Sequence, residues 1–144
     1  HFAIGYLEDR LGNDRYLAST NMAMGAGHDF SIGYLIDFVG NDEYNAPSLA
    51  LGGANANGIG IFVDLAGDDL YQSRSNEANF GRATPIGRGT LRERGFALGL
   101  FLDAAGNDSY PPNVEFAGNA RNWITWAIQN ERPSESQLGV GMDL

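Results

Sequence analysis

The pattern G-h-h-h-D-x-x-G-[ND]-D-x-Y, with h mostly apolar, is written four times: GYLEDRLGNDRY at 5–16, GYLIDFVGNDEY at 33–44, GIFVDLAGDDLY at 60–71 and GLFLDAAGNDSY at 99–110. Its leading glycines (Gly5, Gly33, Gly60, Gly99) and its second aspartates (Asp14, Asp42, Asp69, Asp108) both give spacings of 28, 27 and 39. The frame extends upstream as FAIG at 2–5, FSIG at 30–33, NGIG at 57–60 and FALG at 96–99, and LGVG at 138–141 opens a fifth copy. Units this short cannot bury an apolar face alone, so each must bury it against its neighbours. The period therefore predicts a stack of similar units.

Within each copy the eight residues ending in the first aspartate read as a strand, and period two separates two faces. One face is large and apolar, as in Phe30, Ile32, Tyr34 and Ile36, or Phe96, Leu98, Leu100 and Leu102; only the first copy puts a charge there, Glu8. The other runs small, small, large, acid: Ser31, Gly33, Leu35, Asp37, then Gly58, Gly60, Phe62, Asp64, then Ala97, Gly99, Phe101, Asp103. A second layer can approach that face closely. Apolar residues on both faces suit parallel strands covered on both sides, and parallel stacking sets equivalent residues in columns about 4.8 Å apart.

After the strand, x-x-G-[ND]-D reads as a turn, glycine supplying positive φ and Asn or Asp bonding nearby backbone. The x-Y that follows starts a second short strand, and a glycine-rich turn (24–27, 51–54) leads to the next copy. The expected fold is all-β: a parallel β-solenoid of about four coils over 1–118, with copies near 2–16, 30–44, 57–71 and 96–110 and an insertion at 72–95. The alternative makes each motif an antiparallel hairpin in a β-sandwich or prism.

Two stretches depart from the period. Residues 81–95 concentrate Arg82, Arg88, Arg92 and Arg94, a loop that reads as a binding flank for an acidic partner or polyanionic glycan, or as a solvated offset to the chain's own acidity. Residues 119–132, NARNWITWAIQNER, read as one helix, with Asn119 as N-cap, Pro133 as stop and Trp123, Ile124, Ala127 and Ile128 as its apolar stripe. That helix would cap the stack or, through Trp123 and Trp126, dock another chain or a sugar. Residues 133–144 then begin a further repeat or a tail.

Net charge is −9, and all nine basic residues are arginine, which disfavours nucleic acid or an anionic membrane as partner and favours cations. With no cysteine, disulfides, thiolate metal sites and a cysteine nucleophile are excluded, and no apolar run approaches the roughly 20 residues of a membrane-spanning helix. The pattern is already running at Phe2, which reads as an excerpt of a longer secreted protein. His28 beside Asp29 in a glycine-rich turn reads as surface polarity, not as a catalytic dyad.

In a parallel stack, Asp9, Asp37, Asp64 and Asp103 form one column and Asp14, Asp42, Asp69 and Asp108 another. Carboxylates about 4.8 Å apart repel by roughly 3.5 kcal/mol at an effective dielectric of about 20. Turn amides ahead of each first aspartate, or Ca²⁺ held between coils, would offset this. The stretch Gly40-Asn41-Asp42-Glu43-Tyr44 and its three equivalents resemble the second half of the calcium-binding RTX nonapeptide, G-G-x-G-x-D-x-h-x. The resemblance covers about five residues per copy and implies a parallel β-roll that holds Ca²⁺ between turns. It departs at the leading glycine pair, replaced by Asp37-Phe38 or Asp64-Leu65, and in spacing. All eight aspartates are thus candidate Ca²⁺ ligands.

The functional expectation is a non-enzymatic structural or protein-interaction module of a secreted or surface bacterial protein, stiffened by calcium and docking to further repeats or other subunits. The alternatives are a polysaccharide lyase or hydrolase of β-helix type and a glycan-binding adhesin using Tyr16, Tyr44, Tyr71 and Tyr110 as an aromatic ladder.

Overall fold

The structure, a computed structural model, describes residues 2–75, 77–85, 92, 95–129 and 132–144, and no side chains within 126–129 and 132–136. The described elements are all strands: β1 Ile4–Asp9, β2 Arg15–Leu17, β3 Ile32–Asp37, β4 Glu43–Ala46, β5 Ala54–Asn55, β6 Ile59–Asp64, β7 Leu70–Ser73, β8 Ala83–Thr84, β9 Ala97–Asp103, β10 Asn122–Gln129 and β11 Arg132–Asp143. They form a six-stranded sheet in the order β1-β3-β6-β9-β11-β10, a three-stranded sheet β2-β4-β7 and a two-stranded sheet β5-β8. Every pairing is parallel except β10 with β11, so antiparallel hairpins do not describe the repeated motif.

Registers join like to like. Gly5 pairs with Gly33, Gly33 with Gly60, Gly60 with Gly99 and Gly139 with Gly99, while Asp9, Asp37, Asp64, Asp103 and Asp143 pair in turn along the same sheet. A shift of one residue would swap the faces, so alternation along each strand fixes this register.

The buried side is the small-small-large-acid face. Leu35, Phe62 and Phe101 point into a core with Tyr44, Tyr71, Leu51 and Phe80, and the Phe62 and Phe101 rings stack 5.1 Å apart. Each such aromatic contributes roughly 1.5–3 kcal/mol through burial. The leading glycines make room for the opposing layer: a Cβ on Gly33 would lie 1.9 Å from the Ala26 carbonyl oxygen, and one on Gly60 would lie 2.2 Å from that of Gly53. Cover on both faces does not follow, however. The large apolar face stays partly open among the described residues, with Phe30 51% and Phe96 53% exposed.

The expected helix at 119–132 is instead strand β10 with the turn leading into it. Thr, Ile and Trp suit a pleated surface, and pairing with β11 outweighs the helical stripe: Trp123 turns inward while Ile124 is 65% exposed. Pro133, read as a helix stop, lies in β11 opposite Ile128, beyond the segment that β9 pairs. No helix among the described residues is long and apolar enough to cross a membrane.

Candidate functional site

The two aspartates of each copy do different work. The first accepts a hydrogen bond from the tyrosine hydroxyl of the preceding copy: Tyr16 to Asp37 (2.5 Å), Tyr44 to Asp64, Tyr71 to Asp103 and Tyr110 to Asp143 (each 2.6 Å). Asp143 is thus the fifth member of that column, a position readable from its place five residues after Leu138 in the last copy. Its other oxygen accepts from the second residue onward, Val39 N–H for Asp37 and Ala66 N–H for Asp64, each at 3.2 Å. Among the turn amides, those of the glycines bond to the next copy, Gly12 N–H to the Val39 carbonyl and Gly40 N–H to that of Ala66. The tyrosine rings stack 4.8, 5.3 and 5.0 Å apart, and burial, with the adjoining carboxylate, holds the Tyr44 hydroxyl far above its ordinary pKa. Tyr44 and Tyr71 are buried, so they offer no ring face to a glycan.

The second aspartate links backwards. Asp42 Oδ1 accepts Asp14 N–H (2.6 Å), Asp69 Oδ1 accepts Asp42 N–H (2.7 Å) and Asp108 Oδ1 accepts Asp69 N–H (2.7 Å). The preceding Asn or Asp links forwards in the same way, Asn13 Oδ1 accepting Asn41 N–H, Asn41 Oδ1 accepting Asp68 N–H and Asp68 Oδ1 accepting Asn107 N–H. That outer position uses one acceptor oxygen only, so Asp68 serves there as well as Asn13 and Asn41. Room also decides the turn glycine: a Cβ on Gly67 would fall 1.5 Å from the Gly40 carbonyl oxygen and one on Gly106 1.7 Å from that of Gly67. Close approach between copies requires glycine there, beyond any positive φ.

The column ends on Asn119. Its Oδ1 accepts Asp108 N–H (2.6 Å), as Asp108 Oδ1 does from Asp69, and its Nδ2 donates to the Asp108 carbonyl (2.8 Å), as Ser109 N–H does to the Asp69 carbonyl, so one side-chain amide reproduces both contacts that the next copy makes elsewhere. Asn119 therefore caps the aspartate column, not a helix.

Four oxygens of these carboxylates are buried without a hydrogen-bond partner: Asp42 Oδ2, Asp69 Oδ2, Asp103 Oδ1 and Asp108 Oδ2. They fall in two trios that share Asp69. Asp42, Asp64 and Asp69 each bring one carboxylate oxygen within 4.8 Å of the others, and so do Asp69, Asp103 and Asp108. Burial drives their pKa values upward against the amide and hydroxyl bonds, Asp42 and Asp64 to about 6 and Asp69 and Asp103 to about 8, with Asp108 raised as well. The cause is physical: buried like charges disfavour ionisation unless a proton or a cation sits among them. A separation of 4.8 Å is about the largest that two ligands of one Ca²⁺, each about 2.4 Å from the ion, can have, and the donors are all hard oxygens. The geometry thus fits a divalent cation. Of the expected ligands, Asp9, Asp14 and Asp37 lie outside both trios.

The remaining expected site residues scatter. Trp123 is buried, its Nε1–H donating to the Phe80 carbonyl (2.9 Å), so it is a core residue and not a docking surface. Arg82 sets its guanidinium 5.2 Å from the Phe116 ring centre, and Arg92 pairs with buried Asp29. Arg88, Arg94 and the Trp126 side chain lie outside the described residues. Asp29 is buried, contrary to a surface reading, and His28 Nδ1 is 2.5 Å from Asn55 Oδ1. Compared with protein-family models, curated proteins and solved structures, the chain has no significant match.

Proposed function

We propose that this chain is a stretch of parallel β-solenoid serving as a structural, protein-interaction module, with divalent cations, Ca²⁺ foremost, held between its copies by the buried aspartates. The observation that carries the reading is the repetition of one bonding scheme: Asp37, Asp64, Asp103 and Asp143 each take a tyrosine hydroxyl, and Asp42, Asp69 and Asp108 each take a backbone N–H, copy after copy. Catalysis by polysaccharide lyases or hydrolases needs one carboxylate set apart from its neighbours, with access to substrate. Asp64 and Asp103 are used alike, as are Asp42 and Asp69, and all four are 2% exposed or less. Such use favours architecture. A calcium-stiffened module suits a secreted or cell-surface bacterial protein, where the ion is abundant.

Calorimetric titration of EDTA-stripped protein tests the cation. Saturable Ca²⁺ binding is expected, and Asp69→Asn, which touches both trios, should weaken it at least tenfold. Absence of saturable binding by Ca²⁺ would remove the ion from this reading, and undiminished binding by Asp69→Asn would remove the trios.

A further inference from the structure

The two faces of the six-stranded sheet differ in burial. Leu35, Phe62 and Phe101 point inward and are 2% exposed or less. The alternate positions of β3, β6, β9 and β11 point outward in three rows, the central one being Tyr34, Ile61, Leu100 and Val140. The rows on either side hold only Ile, Leu, Val and Met, and every residue of the three rows is partly exposed. The interior copies share this openness, so it does not depend on where the stack starts. Beside the rows lie Phe30 and Phe96, about half exposed, and Ile124 of β10 at 65%. Among the described residues of this face, charge enters only on β1, as Glu8 bonded to Tyr6 and Arg10. Six strands about 4.8 Å apart and about 20 Å long give the face roughly 570 Å² in projection, the upper end of what a monomer leaves exposed.

We propose that this outer face binds a second copy of the chain, the two sheets packing face to face about 10 Å apart with like rows opposed. This names the partner of the interaction module and rests on that reading. Pairing buries at least about 1,100 Å², above the roughly 1,000 Å² that marks a specific interface, and Phe30 and Phe96 at the margin add to it. The chemistry fits a self-complementary contact. None of the three rows on β3, β6, β9 and β11 carries a charge that asks for its opposite in the partner, and their one hydroxyl is that of Tyr34, a residue type enriched in interfaces. Charge selects the arrangement as well. The acidic turns at 9–14, 37–42, 64–69 and 103–108 all begin at the C-terminal ends of their strands, along one edge, while Arg92 pairs with Asp29 beside the opposite edge. A two-fold axis across the strands keeps the two acidic edges apart and sets each on the Arg92 side of the other copy.

Sedimentation equilibrium of the intact chain over a dilution series, in Ca²⁺ and in EDTA, tests this. A reversible monomer–dimer equilibrium is expected in at least one of the two conditions. Ile61→Lys, at the centre of the face, should raise the dimer dissociation constant at least about tenfold while leaving the far-ultraviolet circular dichroism spectrum unchanged. Leu17→Lys, which puts the same charge on a 61% exposed leucine of β2, away from this face, should leave the dimer intact. Leu100→Gln gives an independent loss should Ile61→Lys fold poorly. A chain that stays monomeric in both conditions would overturn the proposal, as would a dimer undiminished by Ile61→Lys and Leu100→Gln, or one that Leu17→Lys disrupts equally. Dimerisation without Ca²⁺ uptake would leave this proposal standing and sink the cation reading alone; Ca²⁺ uptake by a strictly monomeric chain would do the reverse.

Discussion

The two ends of the six-stranded sheet handle the same problem differently. At the β10 end three replacements stop the stack: Gly141 stands in register with Phe101 and leaves space that the Trp123 ring fills, Asn119 closes the aspartate column, and an antiparallel strand covers the edge. At the β1 end the first copy departs from the motif only at Glu8, and Ile4 and Leu11 are each 79% exposed. A repeating scheme is ended by substituting its contacts with side chains that satisfy the last backbone and ring partners.

Glycine replacement should show the largest contrast between interior and open end. Gly60→Ala puts a methyl 2.2 Å from the Gly53 carbonyl oxygen, whereas around Gly5 the space is open. Overpacking of this kind costs about 3 kcal/mol, roughly a 9 °C loss in thermal melting, while Gly5→Ala should stay within about 0.5 kcal/mol. Equal losses would break the comparison.

A smaller effect is expected from the tyrosine rungs. Tyr71→Phe leaves a buried Asp103 oxygen without its donor and should cost about 2 kcal/mol in denaturant unfolding; Tyr16→Phe, nearer the open end, should cost less. At the closed end, Asn119→Ala removes both contacts to Asp108 and should cost about 1 kcal/mol. Asn119→Asp should not restore the loss, because it lacks the donor and adds a charge beside the column. Least of all, Arg15→Ala, which breaks a solvent-screened pair with Glu43 at 2.6 Å, should leave the denaturant midpoint essentially unmoved.

Much of the interior was legible in the sequence because equivalent residues in register leave equivalent traces. The period gave the pairing of Gly33 with Gly60 and of Asp37 with Asp64, and the small residues opposite Leu35 and Phe62 announced a close second layer. Which face was buried was harder to read, since the outer face is the more apolar and only the room at glycine decides against it. The closing end was misread because its devices work once. Asn119 serves at a spacing unrelated to the repeat, and the 122–129 segment carries a helical stripe that pairing with β11 overrules. The aspartates could be expected as columns, but the grouping into trios that mix the two columns depends on how closely the coils bring first and second aspartates together.

The central claim is that the interior carboxylates, used as rungs, carry surplus charge that a proton or a divalent ion must neutralise. Asp69 and Asp103 titrate near pH 8 when folded, above the roughly 3.9 of an unfolded aspartate, so between those values the folded chain binds more protons. Stability in EDTA is then full below about pH 4 and falls as pH rises through about 8. Thermal melting from pH 4 to 9, with and without Ca²⁺, measures this directly. The account predicts a falling melting temperature in EDTA that Ca²⁺ restores at the alkaline end; a melting temperature that rises with pH in EDTA and ignores Ca²⁺ would contradict it.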